Sequence, residues 1–106
     1  MNNYSWINNV PPGWEKLAHD VIEECEKIFP QFEIIQLKEK YGSMVCYCSS
    51  APEEVYDIID NFEEISKTTC CQCGKKATKH STGWILPWCD NCGKDEDKYY
   101  IVFNES

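Results

Sequence analysis

Two pairs of cysteines constrain this chain more than any other feature of it. Cys70 and Cys73 are spaced C-x₂-C, Cys89 and Cys92 repeat that spacing, and fifteen residues separate the pairs. A C-x₂-C turn aims two thiolates at one point, and backbone N–H groups beyond the second cysteine can donate to the sulfurs. Gly74 and Gly93 follow the two pairs, and a residue without Cβ suits so tight a turn. The separation is that of a zinc ribbon or knuckle, and four thiolates close a tetrahedron around zinc at about 2.3 Å each. The spacing therefore predicts one structural Zn²⁺ held by Cys70, Cys73, Cys89 and Cys92. A closed Cys₄ shell leaves no position for a water, so the expected role is structural, not catalytic. Cys71 could replace Cys70, at the poorer C-x-C spacing. His80, in the loop between the pairs, could also replace a thiolate, although it reads more simply as an exposed loop histidine.

In a chain of 106 residues burial is limited and a metal staple matters. Eight cysteines would suggest disulfides in a secreted protein. Here Met1 to Val10 is polar and lacks the basic start and apolar stretch of a signal peptide, so a cytoplasmic, thiol-reducing setting is expected. Cys25, Cys46 and Cys48 fall on apolar faces and read as reduced core residues. No apolar run approaches the roughly 20 residues of a membrane span.

Outside the cysteine pairs the hydropathy pattern predicts α, β, β, α in order. Pro11-Pro12-Gly13 ends a polar leader, 1–12. Trp14, Leu17, Ala18, Val21, Ile22, Cys25, Ile28 and Phe29 repeat with the i, i+3, i+4, i+7 period of a one-faced helix, which Pro30 stops. Phe32 to Glu39 and Ser43 to Cys48 read as two strands joined by Lys40-Tyr41-Gly42, with Gly42 free to take positive φ. The Ile34-Ile35 doublet blurs the alternation of the first strand. A second helix is expected from Pro52 to Ser66, with Val55, Ile58, Ile59, Phe62 and Ile65 as its stripe and Ser50 with Glu53 as a capping box. Lys98 to Phe103 reads as a last strand that could pair with the hairpin or with the cysteine module. The fold class is thus α+β: an α-β-β-α lobe over 13–68, then a small Cys₄ zinc-ribbon or knuckle module with a C-terminal strand over 69–106.

Charge narrows the partners. The net charge is −8, with 18 acids, ten Lys and no Arg; residues 1–68 carry 13 of the acids and five of the Lys. Such a chain is a poor ligand for DNA or RNA, which call for clustered Lys and Arg, and a better one for a basic protein surface. On the second helix Glu53, Asp57, Asp60 and Glu64 fall within about 60° of one another at 100° per residue. Like charges so spaced repel and cost stability. A solvated helix face explains them blandly; a partner surface is the sharper reading, strengthened by Glu23 and Glu24 on the first helix. Trp84 and Trp88 flank Ile85-Leu86-Pro87 before the second knuckle, where they read as packing over the metal site, or as an exposed hot spot. Tyr4 and Trp6 have the same two readings. The sequence holds no H-E-x-x-H and no H-x-E with the cysteine spacing of a deaminase. It also holds no phosphate-cradling Gly loop, so an enzyme is not expected.

Several of these residues occur together in a known group. Gly13-Trp14, Gln36-x-Lys38-Glu39-Lys40-Tyr41-Gly42, Ile65-Ser66, Cys70-x₂-Cys73-Gly74, Gly83-Trp84 and Cys89-x₂-Cys92 follow in order. The chain resembles small phage and prophage proteins with a Q-x-K-E-K-[FY]-G hairpin and a Cys₄ module, over about residues 13–93. It departs from them at Met44-Val45, where many carry Leu-Arg. Within that setting it is similar to zinc-containing anti-CRISPR proteins that inhibit Cas9. That resemblance implies a bacterial host cytoplasm and stoichiometric binding that blocks target DNA, with the acidic faces as the contact, in keeping with the positively charged channels of Cas9. The other reading is a zinc-ribbon adaptor of phage replication or transcription.

Overall fold

The computed structural model describes residues 2–82, 84–93 and 99–101, and it is α+β. The expected strand residues Lys98, Val102 and Phe103, together with Gly83, lie outside the described residues. A 3₁₀ helix, Asn3–Asn9, and a 3₁₀ turn, Pro12–Trp14, lead into helix α1, Glu15–Ile28. Strands β1, Ile34–Lys40, and β2, Ser43–Cys48, form an antiparallel hairpin, and helix α2 covers Glu53–Lys67. Three short strands follow: β3, Lys79–Ser81; β4, Pro87–Trp88; and β5, Tyr99–Ile101. They form a second antiparallel sheet in the order β4-β3-β5, so the C-terminal strand joins the cysteine module and not the hairpin.

The apolar stripes decide the packing. Ala18, Val21, Ile22 and Cys25 of α1 are buried with Ile34 and Leu37 of β1, Met44 of β2, and Val55, Ile59 and Phe62 of α2. Helix α1 ends where Pro30 bars its predecessor from the helical region: Phe29 is extended, at φ −144°, ψ 88°. The Ile34-Ile35 doublet is resolved by a register shift between Ile34 and Gln36. This bulge turns Ile35 out, at 59% exposure, while Ile34 and Leu37 stay inside. The hairpin closes through two residues of positive φ, Tyr41 at 51° and Gly42 at 86°, the type I′ geometry that matches strand twist. The Gly42 N–H also donates to Glu39 Oε2 at 2.9 Å.

The capping box is not formed. Helix α2 starts at Glu53 with Pro52 as its N-cap and no side-chain cap bond, so Ser50 lies too far upstream to reach the first turn. Glu53 and Glu54 in the first turn and Lys67 in the last oppose the helix dipole instead. Ile65 is 40% exposed at the edge of its stripe. Ser66, fully buried one position on, accepts from the Met44 N–H at 2.8 Å and donates to the Glu63 carbonyl at 2.6 Å.

The N-terminal segment is built into the lobe. Asn3 is buried; its Nδ2 donates to the Phe32 carbonyl and to Glu26 Oε2, both at 2.8 Å, and its Oδ1 accepts from the Ile34 N–H at 2.9 Å. Tyr4, Trp6 and Ile7 pack against the core and Val10 lies in it. The cysteine module is docked too. Trp14 is fully buried, the Gly13 N–H donates to the Cys71 carbonyl at 2.7 Å, and Cys71 joins the main core.

Candidate metal centre

The first knuckle leaves α2 through Thr69 and turns at Cys70 to Gly74. The Cys70 N–H donates to the Lys75 carbonyl at 2.7 Å and the Gly74 N–H to the Cys70 carbonyl at 3.0 Å. Gly74 takes φ +84°, which a side chain would resist. The Gln72 N–H points at Cys70 Sγ, 3.4 Å away. The second knuckle leaves β4 and repeats the device: the Gly93 N–H donates to the Cys89 carbonyl at 2.9 Å, and the Cys92 N–H points at Cys89 Sγ, 3.4 Å away. Strand pairing of β3 with β4 brings the two turns together.

The four sulfurs of Cys70, Cys73, Cys89 and Cys92 lie within 4.8 Å of one another, and Cys73 Sγ is 3.6 Å from Cys89 Sγ. A tetrahedron with about 2.3 Å bonds has edges of about 3.8 Å, so this spacing fits one metal ion held by four sulfurs. Cys70 and Cys89 are buried, Cys92 is half-buried and Cys73 is exposed, so solvent reaches the cluster at Cys73. Burial pushes the Cys89 thiol up, but the Cys92 N–H and the neighbouring sulfurs outweigh it and bring it down to about 7. The hydrogen bond from Cys92 to Cys89, with burial, pushes Cys92 up to about 12.

The remaining cysteines are elsewhere. All eight are unbridged. Cys71 is buried beside Trp14 in the main core, and burial with the adjacent Cys70 pushes it up to about 12. His80 sits half-buried in β3, outside the sulfur cluster, and burial lowers its pKa. Cys25 is fully buried, and Cys46 and Cys48 pack against the core. Burial pushes Cys25 and Cys46 up to about 12, the behaviour of inert thiols.

The tryptophans divide. Trp88 packs against the core. Trp84 stands 69% exposed and reaches the hairpin, its Nε1 donating to Glu39 Oε1 at 2.9 Å; it does not form the cover over the sulfurs that the sequence suggested. Glu53, Asp57, Asp60, Glu64, Glu23 and Glu24 are all exposed. Lys67 ends the acidic row by pairing with Glu64 at 2.7 Å, a counterion that the spacing of the four acids alone did not suggest. A further group lies on α1, with His19 and Glu23 exposed and Asp20 half-buried, and Asp20 is held there by Lys16 at 2.8 Å. Among the described residues no helix is long and apolar enough to cross a membrane.

The sequence logic of the centre was complete in its two C-x₂-C pairs; what it lacked was Trp14, Gly13 and Pro87, which dock the first knuckle onto the lobe through Thr69 and Cys71. No protein-family model, no curated protein and no solved structure matches this chain.

Proposed function

We propose that this chain is a zinc-stabilised binding protein that acts by stoichiometric contact with a basic protein surface, without catalysis of its own. Zinc is the metal that best suits four thiolates in a closed tetrahedron. The observation that carries the reading is the exposed row Glu53, Asp57, Asp60 and Glu64 on α2, joined by the exposed Glu23 and Glu24 on α1. A row of like charges costs helix stability and is repaid when a cationic surface docks on it, with fast, salt-sensitive association. The resemblance of the hairpin and Cys₄ motifs to phage proteins makes a CRISPR effector, Cas9, the partner of choice, with target DNA kept out of its basic channel.

The test is a titration of zinc-loaded protein against Cas9, with and without guide RNA, at two salt concentrations. DNA cleavage should fall linearly to an endpoint at one-to-one stoichiometry, and binding should weaken at the higher salt. The combined variant Glu53→Gln, Asp57→Asn, Asp60→Asn, Glu64→Gln should lose inhibition and keep its zinc. Full inhibition by that variant, or no binding of the parent protein, would overturn the proposal.

A further inference from the structure

Helix α2 runs beside β2 and leaves a groove between them of about 570 Å³. Ser43 and Lys67 line one end, next to the point where Ser66 accepts from the Met44 N–H. At the other end Tyr56 and Cys48 line it together. Val45, Tyr41, Tyr47, Tyr56, Asp60 and Glu63 are among the residues that line it. The three tyrosines are 80%, 47% and 42% exposed. Two carboxylates face the same space. Glu63 is near the Ser43 hydroxyl at 3.4 Å, while Asp60 has no ion pair or hydrogen bond among the described residues. Lys40 and Lys67 also line the groove, but Glu64 holds Lys67 from outside at 2.7 Å, and Lys40 sits at the hairpin end beside Tyr41.

We infer that this groove is the specific contact of the acidic face, and that it takes an extended, arginine-bearing segment of a partner protein. The inference rests on the reading that the partner is basic, and names where and how it is gripped. A guanidinium is planar: it stacks on a tyrosine face and meets a carboxylate in two parallel hydrogen bonds. Tyrosine rings and an uncommitted carboxylate in one groove supply both halves of that recognition. A volume of this size, within the range of small binding sites, takes a few side chains of a partner segment. Lys67 is held by Glu64, and the acidic row beside the groove outnumbers Lys40, which disfavours phosphates, so the proposed occupant is protein and not nucleic acid.

The test uses full-length, zinc-loaded protein and a defined probe, the peptide Gly-Arg-Gly-Arg-Gly-Arg, followed by amide NMR shifts. The citrulline version of the peptide, isosteric and uncharged, is the control. Shifts should concentrate at 41–48 and 56–67, and the citrulline peptide should produce none. Tyr47→Ala should weaken binding about threefold, and Asp60→Asn with Glu63→Gln about tenfold or more; both variants should keep their zinc and circular dichroism. Shifts spread over Glu23 and Glu24, equal binding of the citrulline peptide, or no binding at millimolar peptide would overturn the inference. The same variants separate it from the wider proposal. If they inhibit Cas9 as the parent does, the groove is wrong and the function stands. If the peptide fills the groove and Cas9 does not bind, the function is wrong and the groove stands.

Discussion

The indole N–H of Trp14 donates to the carbonyl of Thr69 at 2.8 Å, so the largest fully buried side chain of the helical lobe ends on the residue just before the first cysteine of the cluster. The lobe and the metal centre are therefore one mechanical unit. If the four sulfurs hold the proposed zinc, chelating it, or Cys73→Ser, is expected to lower the thermal midpoint of the whole chain in a single transition and to red-shift tryptophan emission as Trp14 is wetted. A metal-free protein with an unchanged midpoint would show that the module is dispensable.

Gly13 is the contact point of that unit. A Cβ there would lie 2.1 Å from the Cys70 carbonyl oxygen and 2.6 Å from the Cys71 carbonyl carbon, both backbone atoms that cannot swing away. Gly13→Ala is expected to cost about 3 kcal/mol through overpacking and to weaken retention of the metal proposed for the four sulfurs, measured by denaturant midpoint and by competition with a chromogenic chelator. A variant as stable as the parent would rule out the close approach.

Ser66→Ala removes the acceptor of the buried Met44 N–H. Leaving a buried donor unsatisfied costs about 1–3 kcal/mol. Urea unfolding should register that loss, and the Met44 amide should exchange faster with solvent. An unchanged exchange rate would mean that the N–H finds another partner.

Thiol ionisation gives a pH dependence with a definite sign. Burial holds Cys25, Cys46 and Cys71 near 12, against an ordinary value of 9.0. The folded chain prefers the neutral thiol, so this contribution is complete below pH 9 and is lost as pH rises from 9 to 12. Stability measured by urea unfolding should be flat in this respect at pH 7–8.5 and fall above pH 9, less steeply in Cys25→Ala. Equal stability at pH 8 and pH 10.5 would contradict it.

What the sequence made legible followed from periodicity and spacing. The stripe from Ala18 to Cys25, the exposed row on α2 and the two C-x₂-C turns are local patterns, and local patterns survive into the fold. The structure adds what depends on distant partners. Asn3 looks like part of a polar leader until Phe32 and Ile34 offer it a carbonyl and an N–H; Ser66 looks like a helix end until Met44 needs an acceptor. Glu39 serves both Gly42 and Trp84, and nothing in a one-dimensional pattern ties residue 39 to residue 84. Ser50 failed as a cap because Pro52 took that position in the backbone. The acidic row was visible as charge, but the groove beside it was not, since Tyr41, Tyr47 and Tyr56 come to line one space only when the hairpin and α2 are side by side.

Tyr41 carries one more consequence. A bulky residue at φ 51° is costly, and type I′ turns favour Asn before Gly. The chain keeps a ring there, held out at the turn. Tyr41→Asn should therefore yield a sturdier hairpin and a weaker grip on arginine. The turn would be a place where durability has been traded for recognition, and a library selected only for heat resistance would discard the ring that a library selected for binding would keep.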